Sequence, residues 1–150
     1  ILFANLYSTR VDPKQLLSKV NLEDKLKAKP DDLSGGQKQR FSIACALVHN
    51  PKILFLDEPT TGLDPQAKRN LWNLAKDLNA EGMTIVLTTH NMEEAEYLCD
   101  RIAIMDQGLI IAEGTPQQLI LDHAPEPPKA ALHGNIEDVF LALTGHGLRD

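Results

Sequence analysis

The segment Ile53-Leu54-Phe55-Leu56 constrains this chain more than any other: it is a short, uninterrupted apolar run that ends in two acids, Asp57 and Glu58. An apolar run without alternation suits a strand covered on both faces of a parallel sheet, rather than a strand with one wet face. Parallel strands cannot be joined by a tight turn, so such a strand commits the chain to helical crossovers. The residues downstream agree. Asp64-Pro65 reads as a helix cap and first helical residue. Leu71, Leu74, Ala75 and Leu78 then keep the i, i+3, i+4, i+7 spacing of a core-facing helix, stopped by Gly82. A second strand is predicted from Met83 to Thr89, with Ile85-Val86-Leu87 at its centre, and Asn91 with Glu94 opens another helix with Met92, Ala95 and Cys99 inward. Alternating strands and helices indicate an α/β layered sheet with right-handed crossovers.

The flanking segments read less sharply. Residues 1 to about 30 are mixed and Lys-rich and are expected to form short helices closed by Pro30. Ser34 with Gln37 three residues on is a capping box, opening a helix from about Gly35 to His49, with Phe41, Ile43, Ala44 and Leu47 as its apolar face and Asn50-Pro51 as its stop. Arg101 to Met105 and Leu109 to Ala112 read as strands around the turn sequence Asp106-Gln107-Gly108. Thr115-Pro116 with Gln118 starts a further helix. From His123 to Asn135 the chain carries Pro125, Pro127 and Pro128 and reads as a linker. A last amphipathic helix, Ile136 to Leu143, presents Val139, Phe140 and Leu143 on one side. The predicted division is a helical part over 1–50, an α/β core over 51–122, the linker over 123–135 and a terminal helix and tail over 136–150.

Bulk properties exclude several classes. At 150 residues and 43% hydrophobic content the chain suits one domain or a piece of one. Its net charge of -6 provides no basic field, which argues against nucleic acid or anionic lipid as the main partner. The two cysteines, Cys45 and Cys99, lie far apart with no Cys-x-x-Cys pair or His/Cys cluster, and are expected to be buried free thiols of a reducing compartment. No apolar run reaches the roughly 18 residues of a membrane span. The opening residue, Ile1, is read as a start set by truncation.

Three groups carry candidate chemistry. At the start of the first long helix, Ser34 and Gln37 can simply satisfy free backbone donors. The Gly35-Gly36 backbone beside them also allows close approach of a phosphate to a positive helix end. Asp57 and Glu58 are placed where a buried strand leaves the sheet, the usual ligand edge of an open α/β sheet. Two adjacent acids there need a cation or a proton. His90, after Thr88-Thr89, ends the next strand and could reach the same edge; alone it also reads as a helix-flanking histidine. A phosphate-binding loop needs Gly, four residues, then Gly-Lys-Ser or Gly-Lys-Thr. No Gly-Lys dipeptide occurs in this sequence.

Taken together, these segments resemble the ATP-binding domain of ABC transporters. Leu33-Ser34-Gly35-Gly36-Gln37 is similar to the family's signature motif, Ile53 to Glu58 to its Walker B strand, Gly62-Leu63-Asp64 to its D-loop and His90 to its switch histidine, all in the family's order. The resemblance implies a P-loop NTPase-type layered sheet with a small helical subdomain, incomplete at its N-terminal side. It also implies ATP and Mg2+ as cofactors. Asp57 would hold magnesium, Glu58 the attacking water, and His90 the γ-phosphate. Ser34, Gly35, Gly36, Gln37 and Asp64 would serve across a head-to-tail dimer with a second ATP-binding subunit. Arg40 could contact a phosphate or that partner. A membrane-spanning transporter subunit and a place at the cytoplasmic face of the membrane follow from the same likeness.

The tail Ile136 to Gly145 resembles the drug-exporter branch. Two other readings stay open: a soluble ABC ATPase acting on DNA or ribosomes, and an inert truncated remnant. Absent from this sequence are the phosphate-binding loop, the adenine-stacking aromatic and the glutamine loop, so no ATPase activity is expected of this polypeptide alone. The family's sheet sets the phosphate-loop strand between the strand ending at Thr89 and the one starting near Arg101. Without it the chain is expected to be marginally stable, oligomeric or completed by another segment.

Overall fold

A computed structural model describes residues 12–124 and 135–145. The predicted linker falls almost wholly outside the described residues, as do the first eleven positions and the tail beyond Gly145. The chain divides into two compact units, the first running to Thr88 and the second beginning at Thr89.

Among its described residues the first unit is built on three helices and two strands. Helix α1, Pro13–Lys19, is capped by Asp12, whose carboxylate accepts from the Lys14 N–H. Two single 3-10 turns, Glu23–Lys25 and Pro30–Asp32, follow. Helix α2 is Gly35–Leu47, and the predicted capping box is present: Ser34 Oγ accepts from the Gln37 N–H at 3.3 Å and Gln37 Oε1 accepts from the Ser34 N–H at 2.9 Å. Strand β1 is Ile53–Asp57, helix α3 is Pro65–Ala80, and strand β2 is Thr84–Thr88. The strands pair in parallel from Ile53 with Thr84 to Asp57 with Thr88, joined through α3, so the crossover expected from the apolar run is observed.

One face of this sheet is packed. Leu54 and Leu56 join Ile43, Ala44 and Leu47 of α2, and Leu71, Leu74 and Leu78 of α3, in one apolar cluster that also takes Val20 and Leu22. The other face differs from expectation. Burial along β1 alternates, with Ile53 exposed and Phe55 at 74% exposure, so β1 has a single covered face. The physical reason is that both packed helices lie on the Leu54/Leu56 side. Phe41, predicted to line the apolar face of α2, is instead exposed.

The second unit holds helix α4, Met92–Leu98, strands β3, Ile102–Asp106, and β4, Leu109–Gly114, and helices α5, Pro116–His123, and α6, Ile136–Thr144. Strands β3 and β4 form an antiparallel hairpin with a bulge between Ile104 and Met105. Its two-residue turn puts Gln107 at φ 49° and Gly108 at φ 79°, the left-handed pair that matches strand twist. Asn91, Thr115 and Asn135 each cap the helix they precede. Ile136 and Val139 of α6 are both fully buried against Ile104 and Leu119, so the terminal helix is part of this unit's core. The two sheets, β1 with β2 and β3 with β4, share no hydrogen-bonded strand pair among the described residues.

Candidate functional site

The acid pair stands at the carboxyl end of β1, where the register brings Asp57 opposite Thr88. Both carboxylates are exposed. The Thr88 hydroxyl donates to Asp57 Oδ1, and the Glu58 N–H reaches back to Thr88, 3.0 Å from its carbonyl oxygen and 3.2 Å from its Oγ1. Glu58 therefore leaves the strand at φ 42°, a left-handed conformation that costs a non-glycine residue about 1 kcal/mol or more and is held only by surrounding bonds. Those bonds are visible. The Thr61 hydroxyl donates to Glu58 Oε2 at 3.0 Å, and the Thr61 N–H donates to the Glu58 carbonyl at 3.2 Å. The turn that follows is anchored by the buried Thr60, whose carbonyl accepts from the Leu63 N–H.

This bracing uses hydroxyls and backbone groups. The Asp57 carboxylate lies exposed at the sheet edge, with one oxygen oriented by a neutral donor. That is the donor chemistry Mg2+ takes, one or two carboxylates completed by water and phosphate oxygens. Among the described residues there is no group of three or more His, Cys, Asp or Glu that would hold a metal by protein ligands alone. Asp57 thus fits a magnesium ion that arrives with a nucleotide, and does not by itself make an all-protein cage.

The start of α2 forms the second part of the site. The first-turn N–H groups of a helix have no intrahelical partner and carry the positive end of its dipole. Facing them across a cleft of about 190 Å³ is the start of α3, capped by Asp64, whose Oδ1 accepts from the Gln66 N–H at 3.0 Å and the Ala67 N–H at 2.9 Å. Asp64 is therefore a helix cap, as its sequence context also allowed. Arg40 lies along the same cleft, but its Nη1 donates to the Val20 and Asn21 carbonyls at 3.1 and 2.8 Å, closing the end of α1. The expected phosphate or partner contact competes with that structural role. His90 is exposed and opens the second unit, two residues along the chain from Thr88.

Three site residues escape a reading of sequence alone. Thr88 and Thr61 hold the acids, and Ala67 joins the two helix starts. The signal for Thr88 is its register with Asp57, which only the strand pairing reveals. The signal for Thr61 is its place three residues after Glu58, a hydroxyl able to turn back on the acid. No sequence signal marks Ala67.

One α/β unit thus holds an acid pair braced at the end of a parallel strand and a glycine-rich helix start, donor sets suited to a metal ion and to a phosphate. The profile of the ABC transporter family matches residues 4–61. The chain is 40% identical over 187 aligned positions to the Nod factor export ATP-binding protein I of Burkholderia lata, an alignment that covers 91% of this chain and 62% of the relative. It is 40% identical over 185 positions to the protein of that name from Rhizobium meliloti, covering 90% of this chain and 55% of that one. Over 142 positions it is 44% identical to the Neorhizobium galegae protein, with 93% and 41% covered. Among solved structures it resembles the ADP conformation of MJ1267, an ATP-binding cassette of an ABC transporter. The TM-score there is 0.66 at 29% identity, over 75% of this chain and 48% of that one. A second structure of the same cassette matches with TM-score 0.64 at 30% identity, over 73% of this chain and 47% of that one. The family profile, the relatives and the cassette structures agree in the likeness they give the chain, that of an ABC transporter ATP-binding protein. The chain spans only about half to three fifths of the length of most of these relatives. Among the described residues no helix is long and apolar enough to cross a membrane.

Proposed function

We propose that this chain is the portion of an exporter's ATP-binding subunit that carries the hydrolytic acids of its own site and the signature surface offered to a partner's site. The observation that carries the reading is that one unit holds both the Asp57–Glu58 pair and the Ser34–Gln37 helix start. Asp57 binds the magnesium of Mg-ATP, Glu58 orients or deprotonates the attacking water, and His90 senses the γ-phosphate; phosphoryl transfer requires charge neutralisation together with a positioned nucleophile. The left-handed backbone at Glu58 and its hydroxyl bracing support a role in which the carboxylate position matters. Ser34, Gly35, Gly36, Gln37 and Asp64 act across a head-to-tail dimer on nucleotide held by a second ATP-binding subunit. A membrane-spanning subunit receives the motion at the cytoplasmic face. The names of the relatives, all export ATP-binding proteins, support the exporter branch.

A consequence is that hydrolysis and pairing separate in this polypeptide. The sequence holds no Gly-Lys dipeptide and so no phosphate-binding loop. The 150-residue chain is expected to show no ATP turnover alone, yet to associate under Mg-ATP with an intact cassette such as the Burkholderia lata protein. A phosphate-release assay and analytical ultracentrifugation check both. Turnover by the chain alone that survives Glu58→Gln would sink the assignment of the acids, and absence of Mg-ATP-dependent association would sink the assignment of the helix start.

A further inference from the structure

The two glycines at the start of α2 stand in different surroundings. A Cβ built on Gly35 would meet only Leu63 Cδ2, at 3.7 Å, an ordinary contact that a methyl group tolerates. A Cβ on Gly36 would stand 2.8 Å from the Ala67 Cβ, closer than two such carbons approach, and neither belongs to a flexible side chain. Ala67 in turn donates its N–H to Asp64 Oδ1 at 2.9 Å. One small residue on α3 thus touches the glycine of one motif with its methyl and the aspartate of the other with its backbone.

We propose that Ala67 is a positioning residue that sets the Ser34–Gln37 helix start and Asp64 at one fixed spacing, with Gly36 kept bare to admit it. Gly35, which this chain's own packing leaves free to carry a methyl, is kept bare for a ligand from outside the chain. The cleft between the two helix starts has Gly36 and Ala67 among its lining residues, with Ser34 and Gln37 on one side and Asp64 on the other. A methyl at position 36 must push the first turn of α3 outward, because packed helices transmit volume changes instead of absorbing them. Asp64 travels with that turn. The two surfaces offered to a partner would then no longer match one ligand and one dimer geometry. This inference rests on the partner-facing role given to these residues above.

The test is a cycle of Gly36→Ala, Ala67→Gly and the double variant, with Gly35→Ala beside it, all in the full chain. Two quantities are read: the thermal midpoint, and Mg-ATP-dependent association with the intact Burkholderia lata cassette. Gly36→Ala is expected to lower the midpoint by about 5 °C or more and to weaken association about tenfold or more. Adding Ala67→Gly to it should restore most of both losses. Gly35→Ala should leave the midpoint unchanged or raise it while weakening association. If Gly36→Ala does not fold, recovery of folding in the double variant is the readout. Additive losses in the cycle, or a Gly36→Ala chain that melts and associates as the parent does, would overturn the proposal. Should the parent chain itself not associate, the partner-facing reading fails and takes the positioning role with it, whereas the midpoint cycle still decides the Gly36–Ala67 contact.

Discussion

At the scale of single residues, the site is held by hydroxyls. Thr88 offers its Oγ1 to two neighbours at once, donating to Asp57 and accepting from the Glu58 N–H. Replacing it with valine keeps the shape and removes both bonds. A hydrogen bond to a charged group contributes about 1.5–3 kcal/mol when buried and less in the open, so Thr88→Val is expected to cost about 1–2 kcal/mol. Thr88→Ser should retain most of the parent's stability; urea unfolding of both variants checks this. The cysteines give a second prediction at this scale. Cys45 and Cys99 are half-buried free thiols, and burial pushes both above the ordinary thiol range, aided at Cys99 by the negative charges of Glu94 and Asp100. A raised thiol value means the folded chain holds its proton more firmly than the unfolded chain. The stability so gained is full below the unfolded thiol's value and is lost as pH rises through the folded one. Alkylation in the native state should accordingly be slow at neutral pH and accelerate only above the pH at which a peptide thiol reacts. Equal rates for native and urea-unfolded protein at neutral pH would contradict the assignment.

At the scale of elements, α3 organises the first unit: Leu71, Leu74 and Leu78 pack into its apolar cluster, and the N-terminus carries Asp64. Leu74→Ala is expected to cost about 2–5 kcal/mol, since a nearly fully buried leucine leaves both lost transfer energy and a cavity. Asp64→Ala should cost about 1 kcal/mol through the lost cap, measurable in the same denaturant titration. This helix was legible in advance because its period, cap and stop all agree locally, as were the capping boxes at Ser34 and Thr115 and the hairpin turn at Gln107-Gly108. What was not legible depended on neighbours. The unbroken apolar run of β1 predicts burial on both faces, but such a run states only that both sides are apolar, not that both are covered. Helical spacing allows Phe41 to point inward, and only the placement of α3 and β1 decides which face of α2 is core. The bracing of Asp57 and Glu58 by Thr88 needs the strand register, and the Gly36–Ala67 approach needs the helix crossing. Neither leaves a mark in a single sequence, whereas Thr61, three residues after Glu58, is within local reach of the acid.

At the scale of the whole molecule, the consequence of one-sided packing is an apolar surface that water covers badly. Ile53, Phe55 and Val86 lie exposed on β1 and β2, and Met105, Leu109 and Ile110 on the hairpin of the second unit. Each of the two sheets has only two strands, so among the described residues every strand has an edge without a ladder partner. Two-stranded pairs draw most of their stability from what packs on them, and unpaired apolar edges recruit other chains. Side chains of this size left about half to three-quarters exposed each forgo about 1–2 kcal/mol relative to full burial, so covering even part of either patch favours association over a lone monomer. The 150-residue chain is therefore expected to run larger than its 16.6 kDa in gel filtration at micromolar concentration and to melt at a temperature that rises with protein concentration. Phe55→Lys should shift the population toward monomer without lowering the intrinsic stability of the first unit, because residue 55 lies outside that unit's cluster of buried residues. A sharp monomeric melt, independent of concentration and unchanged by Phe55→Lys, would show that the open face of β1 and β2 is stable in water as it stands.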